Sequence, residues 1–97
     1  MPASCFRLRI PDAAARTIRG LHPELKRKIR VGLDALLADP HAGKPLQRDL
    51  AGLWTFRVGR LRIVYRIAPG RVVELVAVGP RSTIYEETYR LIRKQQS

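Results

Sequence analysis

Apolar residues recur at every second position from Trp54 to Val58 and again from Leu61 to Tyr65, with Gly59-Arg60 between the two runs. Such alternation puts successive side chains on opposite faces of a strand, and a two-residue loop with glycine first predicts a type II′ hairpin turn. The register that follows pairs Val58 with Leu61, Arg57 with Arg62, Phe56 with Ile63, Thr55 with Val64 and Trp54 with Tyr65. One face then carries Trp54, Phe56, Val58, Leu61, Ile63 and Tyr65 and needs an apolar cover. The other carries Leu53, Thr55, Arg57, Arg62, Val64 and Arg66.

The same periodicities order the rest of the chain. Cys5 to Ile10 alternates and predicts a half-buried strand ended by Pro11. Asp12 is a candidate N-cap, after which Ala14, Thr17, Ile18 and Leu21 follow helical spacing as far as Gly20-Leu21. Pro23 suits a first helical position, and Leu25, Ile29, Leu33, Leu36 and Leu37 form the apolar stripe of a second helix that stops at Asp39-Pro40. The two helices predict a hairpin lying on the apolar sheet face. Residues 39 to 52 have no period and read as a loop held to the core by Leu46 and Leu50. Ala68 to Arg71 predicts a turn, Val72 to Val78 an internal strand, and Ile84 to Lys94 a terminal helix. The fold class is therefore α+β, in the order β-α-α-β-β-β-α: a small, mostly antiparallel sheet in a single domain spanning residues 1 to 97.

Charge changes the picture. Nineteen Lys and Arg against eight Asp and Glu leave a formal net charge of +11, which predicts an anionic partner: nucleic acid, an acidic protein or an anionic membrane. Between Leu50 and Val73 stand five arginines and no acid, so the hairpin's charge has no local compensation. Arg57 and Arg62 are placed directly opposite each other, where like charges destabilise a sheet. A polyanion across that face would give the pair a purpose, since a guanidinium offers a planar fork of donors matched to phosphate. A solvated basic face is the alternative. Lys26 to Arg30 on the second helix, with Lys26 and Lys28 as RNA-binding candidates, carries the same two readings.

Other chemistry is sparse. Cys5 has no partner for an internal disulfide and reads as a small packed residue, and no Cys/His cluster has metal-ligand spacing, so neither a metal nor a cofactor is expected. His22 and His41 fall in connecting segments and read as surface or capping residues. Arg7 and Arg9 interrupt any signal-peptide core, and no apolar run approaches the roughly 20 residues of a membrane span. The expectation is a cytoplasmic protein with no membrane partner.

The residues LAGLWTFRVGRLRIVYRI (Leu50 to Ile67) followed by VGPRSTIYEE (Val78 to Glu87), in this order of elements, resemble the RelE/ParE superfamily of type II toxins, on its RelE-like branch. The shared pattern is an aromatic, a basic strand position, G-x-x-R-x-x-Y, then V-G-x-R with a Tyr four residues on. The resemblance implies a toxin that cleaves messenger RNA in the ribosomal A site without a metal, the ribose 2′-OH attacking the adjacent phosphate to leave a 2′,3′-cyclic phosphate. It implies catalytic roles for Arg57, Arg62, Arg81 and Tyr85, the arginines holding the phosphate and Tyr85 stacking a base, with Arg66 among the RNA-binding residues. It also implies a small acidic cognate antitoxin, with operator DNA reached only through the antitoxin complex.

One position departs from the pattern. Thr55-Phe56-Arg57 stands where the RelE-like sequence has two lysines flanking a hydrophobic residue, so the first cation is lost and no general base is assigned. Glu86 and Glu87 read as dipole-complementing residues opening the last helix, and either is also a conceivable base. Tyr85 keeps a second reading as a core aromatic beside Tyr89. Two other functions stay open: a ParE-like toxin that inhibits DNA gyrase without cleaving anything, and a weakened toxin acting mainly as the antitoxin's partner.

Overall fold

The computed structural model describes residues 6 to 96, and Cys5 lies outside them. Five strands form one sheet in the order β1-β5-β4-β3-β2. They are β1 (Arg7–Arg9), β2 (Lys44–Pro45), β3 (Trp54–Val58), β4 (Leu61–Ala68) and β5 (Val72–Pro80), with helices α1 (Asp12–Arg19), α2 (Pro23–Ala38) and α3 (Arg81–Gln96). Only β1 runs parallel to its neighbour, β5; the remaining pairs are antiparallel.

The β3–β4 hairpin has the register read from its alternation, from Val58 opposite Leu61 to Trp54 opposite Tyr65. Gly59 has φ +59° while Arg60 stays out of the left-handed region, as a type II′ turn requires. On the inner face Leu61, Ile63 and Tyr65 are buried with Ala14 of α1 and Ile29, Leu33 and Leu36 of α2, so the helical hairpin supplies the cover the sheet needed. Trp54 packs at the edge of this cluster, stacked on Tyr65 at 6.5 Å and met edge-on by His41 at 5.2 Å. His22 caps α2, its Nδ1 accepting from the Glu24 backbone N–H at 3.3 Å.

On the outer face α3 packs across part of the sheet, burying Leu53, Val64 and Ala77 against Ile84. Leu46 and Leu50 pack against the same cluster, which is how the segment after α2 is held. A β-bulge in β5 lets Val64 pair with Ala77 while the next residue, Tyr65, pairs with Leu75. Val76 is thereby turned toward the outer cluster beside Ala77.

Four details differ from the sequence expectation. Asp12 is the first helical residue and Pro11 the cap position, with no side-chain capping bond; a proline there already sets an extended entry. Residues 39 to 52 are not all loop, because Lys44–Pro45 pairs with Trp54 and Thr55 and 3₁₀ turns form at Pro40–Ala42 and Arg48–Leu50; a two-residue strand has no period to detect. Strand β5 runs on to Pro80, and α3 starts at once at Arg81. Glu86 and Glu87 therefore lie beyond the first turn of α3, where the dipole's effect has largely decayed; Glu86 instead pairs with Arg90 at 3.1 Å.

The segment after α2 is fastened by one buried hydrogen bond, the Tyr65 hydroxyl donating to the Pro40 carbonyl at 2.6 Å. Gly43 is required beside it, since a Cβ there would collide with both the Tyr65 ring and the Thr55 carbonyl. Burial pushes the Tyr65 phenol above its usual value, the charge of Asp39 acts in the same direction, and the Gly43 backbone N–H opposes them. Because the folded state holds the proton more tightly, the unfolded chain ionises first as pH rises. This contribution to stability is complete below the ordinary tyrosine pKa of 10.0 and is lost as pH climbs through the folded value. Tyr65→Phe should lower stability by about 1–2 kcal/mol in neutral urea denaturation, and the gap to wild type should narrow above that pKa. Thr55 poses the opposite case: it is 4% exposed and its hydroxyl has no hydrogen-bond partner among the described residues. Thr55→Val should leave stability unchanged or raise it by up to about 1 kcal/mol in the same assay.

Candidate anion-binding site

The hairpin tip and the start of α3 converge because β5 pairs with β4 through Pro80 opposite Leu61 and Gly79 opposite Arg62. That register carries Arg81, the residue after the strand, to the turn. A cleft of about 130 Å³ opens there, lined by Arg57, Gly59, Arg60, Leu61, Arg62 and Arg81. Four arginines thus border one small space, and no acidic residue among those described lines it.

Each arginine is held differently. Arg57 leans along its own strand, its Nε donating to the Gly59 carbonyl at 3.3 Å, which draws it toward the turn while Arg62 stands across the ladder. Arg62 is half-buried, whereas Arg57, Arg60 and Arg81 are exposed. Arg81 is the first residue of α3, and that first turn holds no acidic side chain. The positive end of the helix dipole is therefore left to complement an anion from outside the chain. Clustered guanidiniums with no local acid favour a group carrying several anionic oxygens, above all a phosphate.

The residues singled out from the sequence divide by place. Arg57, Arg62 and Arg81 come together in the cleft. Arg66, four residues further along β4, does not join them: its Nε bonds Glu74 Oε1 at 2.6 Å, and Arg9 shares the same carboxylate at 3.3 Å. Tyr85 is half-buried against the outer apolar cluster and does not line the cleft. Lys28 lies against the hairpin turn, its Cδ and Nζ 3.8 and 3.9 Å from where a Cβ on Gly59 would stand. Lys26 is exposed on α2 and lines no cavity beside the cleft. Thr55 is sealed beneath the outer cluster, where an unpaired ammonium would pay a heavy desolvation penalty.

Arg60 is the residue sequence reasoning passed over. As the second residue of the turn it read as a connector, although it belongs to the same run of arginines without acids. What the run could not disclose is that the turn folds over the same space as Arg81.

Comparison with known proteins agrees with this architecture. Residues 8–85 match the family model of the ParE toxin of the type II toxin–antitoxin system, parDE. Toxin RelE of Mycobacterium tuberculosis is 35% identical over 83 residues, spanning 82% of this chain and 86% of that protein. Among solved structures, a chain of the RelBE2 toxin–antitoxin complex from M. tuberculosis superposes with a TM-score of 0.70 at 30% identity, covering 78% of this chain and 98% of that one. A free double-arginine mutant of E. coli toxin RelE superposes with a TM-score of 0.73 over 93% of this chain and 96% of its own, its 21% identity speaking for the fold alone. The chain therefore belongs to the RelE/ParE family of type II toxin–antitoxin toxins, on its RelE-like side.

Proposed function

We propose that this toxin inhibits translation by cleaving messenger RNA in the ribosomal A site, with the arginine cleft at the hairpin tip as its phosphate site. The observation that carries the reading is the convergence of Arg57, Arg60, Arg62 and Arg81 on one small space with no acid in its lining. The reaction is attack of the ribose 2′-oxygen on the adjacent phosphorus. The O2′–P bond forms, the P–O5′ bond breaks, the 2′ proton is lost, and the leaving 5′ oxygen takes up a proton, giving a 2′,3′-cyclic phosphate and a 5′-OH.

Charge builds on the non-bridging oxygens as the reaction proceeds, and guanidiniums fixed around them stabilise that charge without reorganising. No residue lining the cleft is a proton acceptor at neutral pH, since arginine stays protonated. The chain's own contribution is accordingly positioning and charge stabilisation. Tyr85, one turn along α3 from Arg81, offers a nucleotide only the exposed side of its ring. Lys26 and Lys28 add to the long-range attraction of a chain with net charge +11, and Arg66, paired with Glu74, adds less. A small acidic antitoxin is the cognate partner, in keeping with relatives solved as toxin–antitoxin complexes; operator DNA is reached through that complex. The ParE description of the family model favours, as second reading, a gyrase-binding toxin without cleavage, and Thr55 in place of a lysine favours a weakened toxin acting mainly as the antitoxin's partner.

Two measurements follow. In salt titrations of single-stranded RNA binding, Arg57→Ala, Arg62→Ala and Arg81→Ala should each reduce the slope of log affinity against log salt by about 0.7. Arg66→Ala should change it less, because Glu74 already neutralises that charge. Primer extension on a reporter message after brief induction should give in-frame cuts with wild type and a loss of about 10²–10³-fold with Arg62→Ala or Arg81→Ala. Cuts that persist in both variants would overturn the site, and growth arrest without cuts would transfer the reading to gyrase.

A further inference from the structure

Two cavities of about 370 and 300 Å³ adjoin beside α3, on the flank that faces the start of α1, and share Ala13, Val76 and Leu91. Together they make one groove with an apolar floor. The groove follows an open edge: β1 pairs with β5 only from Val72 to Glu74, and beyond Glu74 that side of β5 has no strand partner among the described residues. Backbone carbonyls along such an edge remain free to accept hydrogen bonds.

The charges of the groove are arranged in an unusual way for so basic a chain. Arg90 lines the first cavity and pairs with Glu86 at 3.1 Å; Arg66 lines the second and pairs with Glu74 at 2.6 Å. Its carboxylates have no such partners. Glu87 borders the first cavity and Asp49 the second, and neither side chain forms an ion pair or a hydrogen bond among the described residues. The cations of the groove are therefore engaged, and its acids are left for a cation from outside the chain.

The strand sets how far apart these acids stand. Glu87 Oε2 lies 3.7 Å from the place a Cβ on Gly79 would take, while Asp49 shares its cavity with Leu75. Four residues of β5 separate Gly79 from Leu75, roughly 13 Å at ~3.3 Å per residue. Metal ligands converge on one point, so that separation excludes a single ion held by both. A short diamine would leave one carboxylate unmatched.

We propose that this groove binds a linear polyamine, with its terminal ammonium groups at Glu87 and Asp49 and its methylene chain along Val76 and Leu91. Carboxylates at the two ends call for cations and the floor calls for apolar surface, a combination that a polyamine carries along one line. An ammonium brings only donors. The inner nitrogens accordingly turn to the carbonyls of the open β5 edge and to the Thr17 hydroxyl, whose own proton is given to the Ala13 carbonyl at 3.1 Å. The chain's overall charge opposes any polycation, although salt screens that opposition beyond ~8 Å.

Occupancy has a mechanical consequence. The ligand touches α1, β5, α3 and the 3₁₀ turn at Arg48–Leu50 together, and α3 begins with Arg81 of the arginine cleft. A molecule that binds only while α3 lies on the sheet stabilises that arrangement by mass action and holds Arg81 at the hairpin tip.

The test is calorimetric titration of the purified full chain with spermine, a tetraamine, and with putrescine, a diamine, at fixed ionic strength. Wild type is compared with Glu87→Gln, Asp49→Asn and Ala13→Leu, all at exposed positions, and an unchanged thermal midpoint without ligand certifies each fold. Wild type should bind spermine at least about tenfold more tightly than putrescine, and each of the three variants should lose about tenfold in spermine affinity. Glu24→Gln, which removes a carboxylate outside the groove, should bind as wild type does. Absence of saturable spermine binding by wild type, affinities within twofold of wild type in both carboxylate variants, or equal affinity for the two amines would each overturn the site. So would an unchanged affinity in Ala13→Leu, because attraction by charge alone needs no groove. None of these readouts depends on RNA cleavage.

Discussion

The two-residue turn at Gly59-Arg60 is the constraint on which the rest of this molecule depends. It sets the β3–β4 register, and because strand side chains alternate, a slip of one residue would move every core residue of the hairpin to the opposite face. In the register that forms, Ile63 and Tyr65 are completely buried beneath the helical hairpin. The same choice fixes Arg57 opposite Arg62. The hydrophobic requirement of the inner face thus positions the basic pair of the outer face, and the burial of two large side chains, worth about 1.5–3 kcal/mol each, outweighs the modest repulsion of a solvated like-charged pair.

The outer face is divided between two tasks by α3. Where the helix lies, it excludes water from Leu53, Val64 and Thr55, and a charge there would be expensive. Where the helix begins, its N-terminal turn and Arg81 add positive potential to the hairpin tip. The location of the arginines at the tip, rather than along the whole strand, follows from that division. Arg66, beyond the cleft and facing Glu74 of β5, is neutralised within the sheet. One strand therefore holds a basic residue spent on structure and another left for an anion.

Much of this was legible in the sequence, for identifiable reasons. The hairpin register came from a period of two interrupted by a glycine-first turn, and the helical cover from a stripe at Ile29, Leu33 and Leu36 that spans several turns. Signals of that length survive tertiary context. The short strand Lys44–Pro45 left no trace because two residues carry no period, and its partners Trp54 and Thr55 stand across an irregular connection. The start of α3 was misplaced for a related reason: Gly79-Pro80 reads as a break, yet proline is tolerated at the end of a strand and immediately before a helix. At the site, three of the four cleft arginines were recognisable from spacing and resemblance, whereas Arg60 needed the fold, since a turn residue shows nothing of what it folds toward. Tyr85 was ambiguous because stacking platform and core aromatic share one helical spacing.

The free edge of β3 is guarded by charge. Natural sheets protect an open edge with charge, bulges or a covering element; here β2 covers only its first two residues, and cations flank the remainder. Positive charge disfavours pairing with another copy of a chain whose net charge is +11. Arg57 borders both this edge and the arginine cleft, so the charge that guards the edge also adds to the positive potential of the hairpin tip.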